Sequence, residues 1–96
     1  MSMVEDLREG RVSIAADVRW NCTADGGVLL DIAHGTYFSL NEMGAFIWQQ
    51  LAAGESTNTI VDRLGEAYAL PRERVREDLS RYLRGLVSKG LVTYVD

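Results

Sequence analysis

The chain has 96 residues, 47% hydrophobic and 25% charged with a single proline, which allows one domain around one small core and fits a globular chain, not a disordered or fibrous one. Ten basic against fourteen acidic residues leave a net charge of −4, which argues against generic attraction to nucleic acid or an anionic membrane. One cysteine (Cys22) and one histidine (His34) exclude an internal disulfide and a structural Cys/His zinc site, and with no long apolar run and no basic leader the expectation is a cytoplasmic protein.

Residues 1–10 carry Glu5, Asp6 and Glu9 among few large apolar side chains and read as a flexible start, leaving residues 11–96 as the folded domain. Val12, Ile14, Ala16 and Val18 then alternate with Arg11, Ser13, Ala15, Asp17 and Arg19, the period of two that predicts one strand over residues 11–19. Residues 21–27 (NCTADGG) gather turn formers, with Gly26-Gly27 read as part of the turn. Residues 28–33 and 36–40 are short apolar runs separated by His34-Gly35. They form a hairpin if His34 accepts the positive φ that Gly35 takes freely. Pairing Ala33 with Thr36 puts Val28, Leu30, Ile32 and Tyr37 on one face and Leu29, Phe38 and Leu40 on the other. Such a sheet needs helices on one side and can offer its other side or its edge to a partner.

Three helices follow. Asn41 is a good N-cap with Glu42 in the first turn, and Phe46, Ile47, Gln50 and Leu51 form a buried stripe that ends at Gly54. Ser56 or Thr57 caps the second helix, whose Ile60, Val61, Leu64, Ala67 and Tyr68 recur at helical spacing. Pro71 suits the first turn of the third, which runs through Val75, Leu79, Tyr82, Leu83, Leu86 and Val87 to Gly90. Residues 91–95 (LVTYV) supply a short final strand. The predicted class is α+β: a three-stranded antiparallel sheet followed by three helices and a C-terminal strand, the outline of a winged helix-turn-helix.

Catalytic chemistry is poorly supplied. A Cys22–His34 pair is conceivable, but both lie in predicted turns and a nucleophile needs a base within hydrogen-bond reach. Glu66, Glu73 and Glu77 fall on solvent-facing helix positions, and a domain this small hardly encloses a cleft for paired carboxylates. Nine dispersed glycines form no phosphate cradle. Gly44 inside a helix costs about 1 kcal/mol relative to alanine and points to close packing, or to backbone access for a ligand. Trp48 reads as a core residue. No cofactor, metal or catalytic residue is expected.

Residues 71–96 hold six basic and four acidic side chains, against four and ten in residues 1–70. A winged-helix DNA-binding regulator using Arg74, Arg76 and Arg81 is therefore the competing reading. Glu73, Glu77 and Asp78 interrupt those arginines, and a mixed helix face laced with ion pairs of Glu73 and Glu77 to Arg76 and Arg81 is the commoner outcome. An edge strand beside a helix that carries Tyr82 on its rim would equally form a peptide groove.

The run Gly35-x-Tyr37-x-x-Leu40-Asn41-x-x-Gly44-x-x-Ile47-Trp48, with Ile60-Val-Asp62-Arg-Leu64 and the late Lys89-Gly90-Leu91, resembles the PqqD-like family over about residues 27–95. The strand predicted from Arg11 to Arg19 and the turn-rich stretch from Asn21 to Gly27 match no motif of that family. The resemblance implies a small winged-helix-like domain that binds the leader segment of ribosomally made precursor peptides and delivers the precursor to a modifying enzyme. In that family the leader adds as a strand beside the motif strand and lies against the third helix. Carried onto this chain, the strand positions are Thr36, Tyr37, Phe38, Ser39 and Leu40; the exposed side of Val75, Asp78, Leu79 and Tyr82 is placed by helical spacing alone. The resemblance is greatest to the stand-alone leader-binding protein of split lasso-peptide systems, whose partner is a cysteine leader peptidase. The alternative is the pyrroloquinoline quinone pathway chaperone, whose partner is a radical enzyme. Neither nucleic acid nor membrane is an expected partner.

Overall fold

The alternation from Arg11 onward produces two strands, not one. In the computed structural model, which describes residues 10–95, β1 (Arg11–Ile14) ends before Ala15, Ala16 and Asp17. Alanine and aspartate are poor strand formers, and the Val18 N–H closes a turn onto the Ala15 carbonyl at 3.2 Å. The chain resumes as β2 (Val18–Thr23) in a different sheet. The single strand expected over residues 11–19 is thus corrected to two, and the period of two could not reveal the break because Val12 and Val18 are both buried on either side of it. Apart from Gly10, the start expected to be flexible lies outside the described residues.

Strand β3 (Gly26–Asp31) pairs antiparallel with β2, Thr23 opposite Gly26 and Cys22 opposite Gly27. The turn expected over residues 21–27 narrows to Ala24 and Asp25. Gly27 belongs to the strand, and a Cβ there would lie 2.8 Å from both the Asn21 carbonyl oxygen and Cys22 Sγ, so its role is close backbone approach. Strand β4 (Thr36–Leu40) pairs with β3, Asp31 opposite Thr36. Residues 32–35 form the loop, and Gly35 takes the positive φ of 61° while His34 does not. The register sits two residues from the expected Ala33–Thr36 pairing. A shift of two leaves every side chain on its original face, so Leu29, Phe38 and Leu40 still oppose Val28, Leu30 and Tyr37. Leu29 is wholly buried under the helices and Tyr37 is exposed. The loop is tied by buried Asp31, whose carboxylate accepts the His34 backbone N–H at 3.3 Å and sits 2.8 Å from His34 Nδ1.

Helix α1 (Glu42–Ala52) starts where the Asn41 side chain accepts the Gly44 N–H at 2.7 Å. Its buried face is Gly44, Ala45, Ile47, Trp48 and Leu51, with Phe46 and Gln50 half-buried. Helix α2 (Thr57–Tyr68) is capped by Ser56, which accepts from the Thr59 N–H, and buries Ile60, Val61 and Leu64 while Ala67 is exposed. Helix α3 (Arg72–Ser88) follows Pro71, which occupies the N-cap position without a side-chain bond. Strand β5 (Val92–Val95) pairs antiparallel with β1. The expected α+β architecture therefore stands, with β2-β3-β4 as its three-stranded antiparallel sheet and β1-β5 as a second, two-stranded one. Trp48, Leu29, Ile60, Leu79, Leu83 and Leu91 are the largest wholly enclosed apolar side chains, and the Trp20 ring meets Trp48 edge-on with centroids 5.7 Å apart.

Candidate functional site

Strand β4 is an edge of its sheet, and the backbone directions along it follow from one hydrogen bond. The Ile32 N–H donates to the Asp17 carbonyl at 2.9 Å, and these residues stand opposite each other one step beyond the Val18–Asp31 pair. Backbone groups alternate in direction along an antiparallel strand. The Ile32 N–H and the backbone groups of Leu30 therefore face β2, whereas Asp31 and Leu29 turn theirs to β4. Thr36 and Phe38, opposite Asp31 and Leu29, are bound to β3. The N–H and C=O groups of Tyr37 and Ser39 are left facing the open edge.

Helix α3 runs beside that edge. The Tyr82 hydroxyl donates to the Gly44 carbonyl at 3.3 Å, and Lys89 Nζ stands 6.0 Å from the centre of the Phe38 ring. Tyr82 thus marks the Leu40 end of the cleft and Lys89 the Phe38 end. At the first end Ser39, Leu40, Asn41 and Gly44 form a concave surface with Tyr82. Toward the second, Gly85, Leu86 and Lys89 continue it. Behind Tyr82 opens a cavity of about 190 Å³ whose apolar lining includes Met43, Ile47, Leu64, Leu70, Val75 and Leu79, with Asn41, Asp78 and Arg81 as its polar members. Burial pushes the Tyr82 hydroxyl up to about 12, with a smaller push from the nearby Cys22 thiolate charge. At neutral pH the hydroxyl is therefore an uncharged donor.

Of the residues expected at the site, Phe38 and Leu40 turn half-buried side chains toward the helices and Tyr37 and Ser39 present backbone at the edge, while Thr36 is exposed at the start of β4. Asp78 and Tyr82 line the cleft. Val75 and Leu79 do not offer the exposed side expected of them: at 2% and 0% exposure they are core residues that reach the site only as lining of the cavity behind Tyr82. They belong to the buried stripe that continues through Leu83 and Leu86. Arg81, Gly85 and Lys89 were missing from the expected set. The positions 78, 82, 85 and 89 recur at helical spacing, which was the available signal.

The competing chemistries find little support. Cys22 sits beside the β2–β3 turn and His34 in the β3–β4 loop, at opposite ends of β3. Burial raises the Cys22 pKa, the wrong direction for a nucleophilic thiolate. Among the described residues no group of three or more His, Cys, Asp or Glu side chains is placed to hold a metal, and no helix is long and apolar enough to cross a membrane. Arg74 and Arg81 are both paired with Asp78, at 3.1 and 3.4 Å, and Arg76 reaches Asn58. Within α3 the ion pairs thus centre on Asp78, where Glu73 and Glu77 were expected, and Arg72 pairs outward with Asp62 of α2.

The family described as coenzyme PQQ synthesis protein D (PqqD) matches residues 26–92. Among solved structures, that of TbiB1 in complex with the TbiA(beta) leader peptide is similar, with 37% sequence identity and a TM-score of 0.80 over 86% of this chain and 98% of that one. No curated protein matches the chain.

Proposed function

The chain belongs to the PqqD family, and from that premise we propose that it is a non-catalytic, cytoplasmic adaptor that captures the leader segment of a ribosomally made precursor peptide and presents it to a maturation enzyme. The leader adds as a strand along Thr36–Leu40 and lies against α3. The observation that carries this reading is the open edge of β4, with the backbone groups of Tyr37 and Ser39 unpaired beside a cleft that ends at an apolar cavity. An extended peptide takes its affinity from such backbone bonds and its specificity from pockets for alternate side chains. The likeness to TbiB1, solved with a leader peptide, favours a lasso-peptide system with a cysteine leader peptidase as the partner. The family description favours the second reading, a peptide chaperone of the pyrroloquinoline quinone type working with a radical enzyme.

The test is a fluorescence-anisotropy titration against the labelled leader of the precursor encoded beside this protein, with a random-sequence DNA duplex in parallel. Saturable leader binding without a response to the duplex is the expected result. Duplex binding that weakens steeply with salt, and no response to the leader, would replace the adaptor with a DNA-binding regulator.

A further inference from the structure

The chain as a whole is acidic, with a net charge of −4, yet the cleft between β4 and α3 is not. Its charged lining consists of one acid, Asp78, and two bases, Arg81 and Lys89. Asp78 is already shared by Arg74 and Arg81, at 3.1 and 3.4 Å, so a second cation competes for one carboxylate. Among the described residues no carboxylate pairs with Lys89, whose ammonium group stands over the Phe38 ring. Strand β4 contributes no charged side chain to the cleft. A positive cleft in a negative protein attracts anions locally while the rest of the surface repels them, which favours selective capture over general adhesion.

The position of the charge along the cleft is as informative as its sign. Lys89 marks the Phe38 end, and Tyr82 with the apolar cavity marks the Leu40 end. Phe38 and Leu40 are two residues apart on one face of the strand. A peptide paired with β4 therefore places two of its own alternate side chains, also two residues apart, toward α3 at those ends.

We infer that the cleft selects peptides in which an Asp or Glu lies two residues from an apolar anchor, with Lys89 reading the carboxylate at the Phe38 end and the cavity behind Tyr82 receiving the anchor. This rests on the strand-addition reading above. Lys89 is a specificity-determining residue: it chooses among peptides that the edge of β4 would otherwise accept alike.

The test is selection of a randomised twelve-residue peptide display library on the full-length protein and on the Lys89→Gln variant, each first shown by circular dichroism to be folded. The Lys89 side chain is exposed, so the fold is expected to survive. Wild-type protein should enrich acidic residues two positions from an apolar one, and the variant should lose that enrichment while retaining the apolar preference. For a selected peptide, replacing the acid by alanine should weaken wild-type binding roughly fivefold at low salt and leave the variant nearly unaffected, with the difference shrinking as salt rises. Enrichment of apolar positions with no acid preference would overturn the charge selection and leave strand capture standing. No enriched peptide on the wild-type protein would overturn both, as would displacement of a selected peptide by a random DNA duplex.

Discussion

The Tyr82 hydroxyl donates to the carbonyl oxygen of Gly44 across 3.3 Å, joining α3 to the first turn of α1 at the mouth of the cleft. The contact explains a glycine within a helix. A Cβ at Gly44 would lie 3.1 Å from Asn41 Oδ1 and 3.3 Å from the Tyr82 hydroxyl, tight against both the helix cap and the tyrosine that closes the cavity.

Gly44→Ala sets two effects of similar size against each other. Alanine gains about 1 kcal/mol of helix propensity, while the cap bond and the tyrosine bond it crowds contribute about 1 kcal/mol each. The expected outcome is a denaturation midpoint no higher than that of the wild type, together with roughly threefold weaker leader binding, because Tyr82 must shift toward the cleft. Thermal melts and anisotropy titrations check both. A more stable variant with undiminished binding would show that Gly44 is not held by this contact.

The raised pKa of Tyr82 makes stability depend on alkaline pH. The folded chain keeps the hydroxyl proton up to about 12, whereas an unfolded chain releases it near the ordinary 10. As pH rises above 10, deprotonation favours the unfolded state, so this contribution is complete below about pH 10 and is lost between about 10 and 12. Urea denaturation at pH 9 and 11 should show a fall in stability of wild-type protein, and Tyr82→Phe should remove part of that fall, amounting to no more than about 2 kcal/mol after allowance for solvent screening. Equal pH slopes for the two proteins would place the hydroxyl in water.

Helix positions were the most legible part of this sequence, because caps such as Asn41 and Ser56 and the stripe Val75, Leu79, Leu83 and Leu86 are local signals that tertiary packing did not override. Strand partition was not legible: Val12 and Val18 keep one parity whether the chain runs straight or turns at residues 15–17 and enters another sheet. The β3–β4 register was missed by two residues without consequence, since sidedness has the same period. At the site, the strand positions came with the motif around Tyr37 and Leu40. Of the helix positions, Asp78 and Tyr82 fall on the cleft while Val75 and Leu79 belong to the buried stripe one step around, and the next turns of the cleft face, Gly85 and Lys89, were not reached.

Ala69 supplies a stability prediction independent of the cleft. It ends α2 in the left-handed region at φ 52°, a conformation that costs an alanine about 1–2 kcal/mol. Ala69→Gly removes that strain, and the extra freedom of glycine in the unfolded chain offsets part of the gain. The expected net effect is stabilisation by up to about 1 kcal/mol in urea with unchanged leader affinity. A loss of stability would mean that the αL conformation carries no strain here.

Proline scanning along β4 separates strand addition from a merely adjacent groove. The Phe38 N–H faces β3, whereas those of Tyr37 and Ser39 face the open edge, as the Ile32–Asp17 bond and the register require. Phe38→Pro therefore breaks the ladder and should destabilise the fold by about 3 kcal/mol, which makes it uninformative about binding. Tyr37→Pro removes an outward donor, and its lost side chain is 71% exposed. Proline is tolerated on an edge strand whose N–H faces solvent, and the preceding Thr36 is already extended. Tyr37→Pro should remain folded by circular dichroism and bind the leader roughly tenfold more weakly, through one lost backbone bond and the bulk of the ring at the pairing edge. Wild-type affinity in a folded Tyr37→Pro protein would rule out backbone pairing at this position and leave the α3 face of the cleft to hold the peptide by side chains alone.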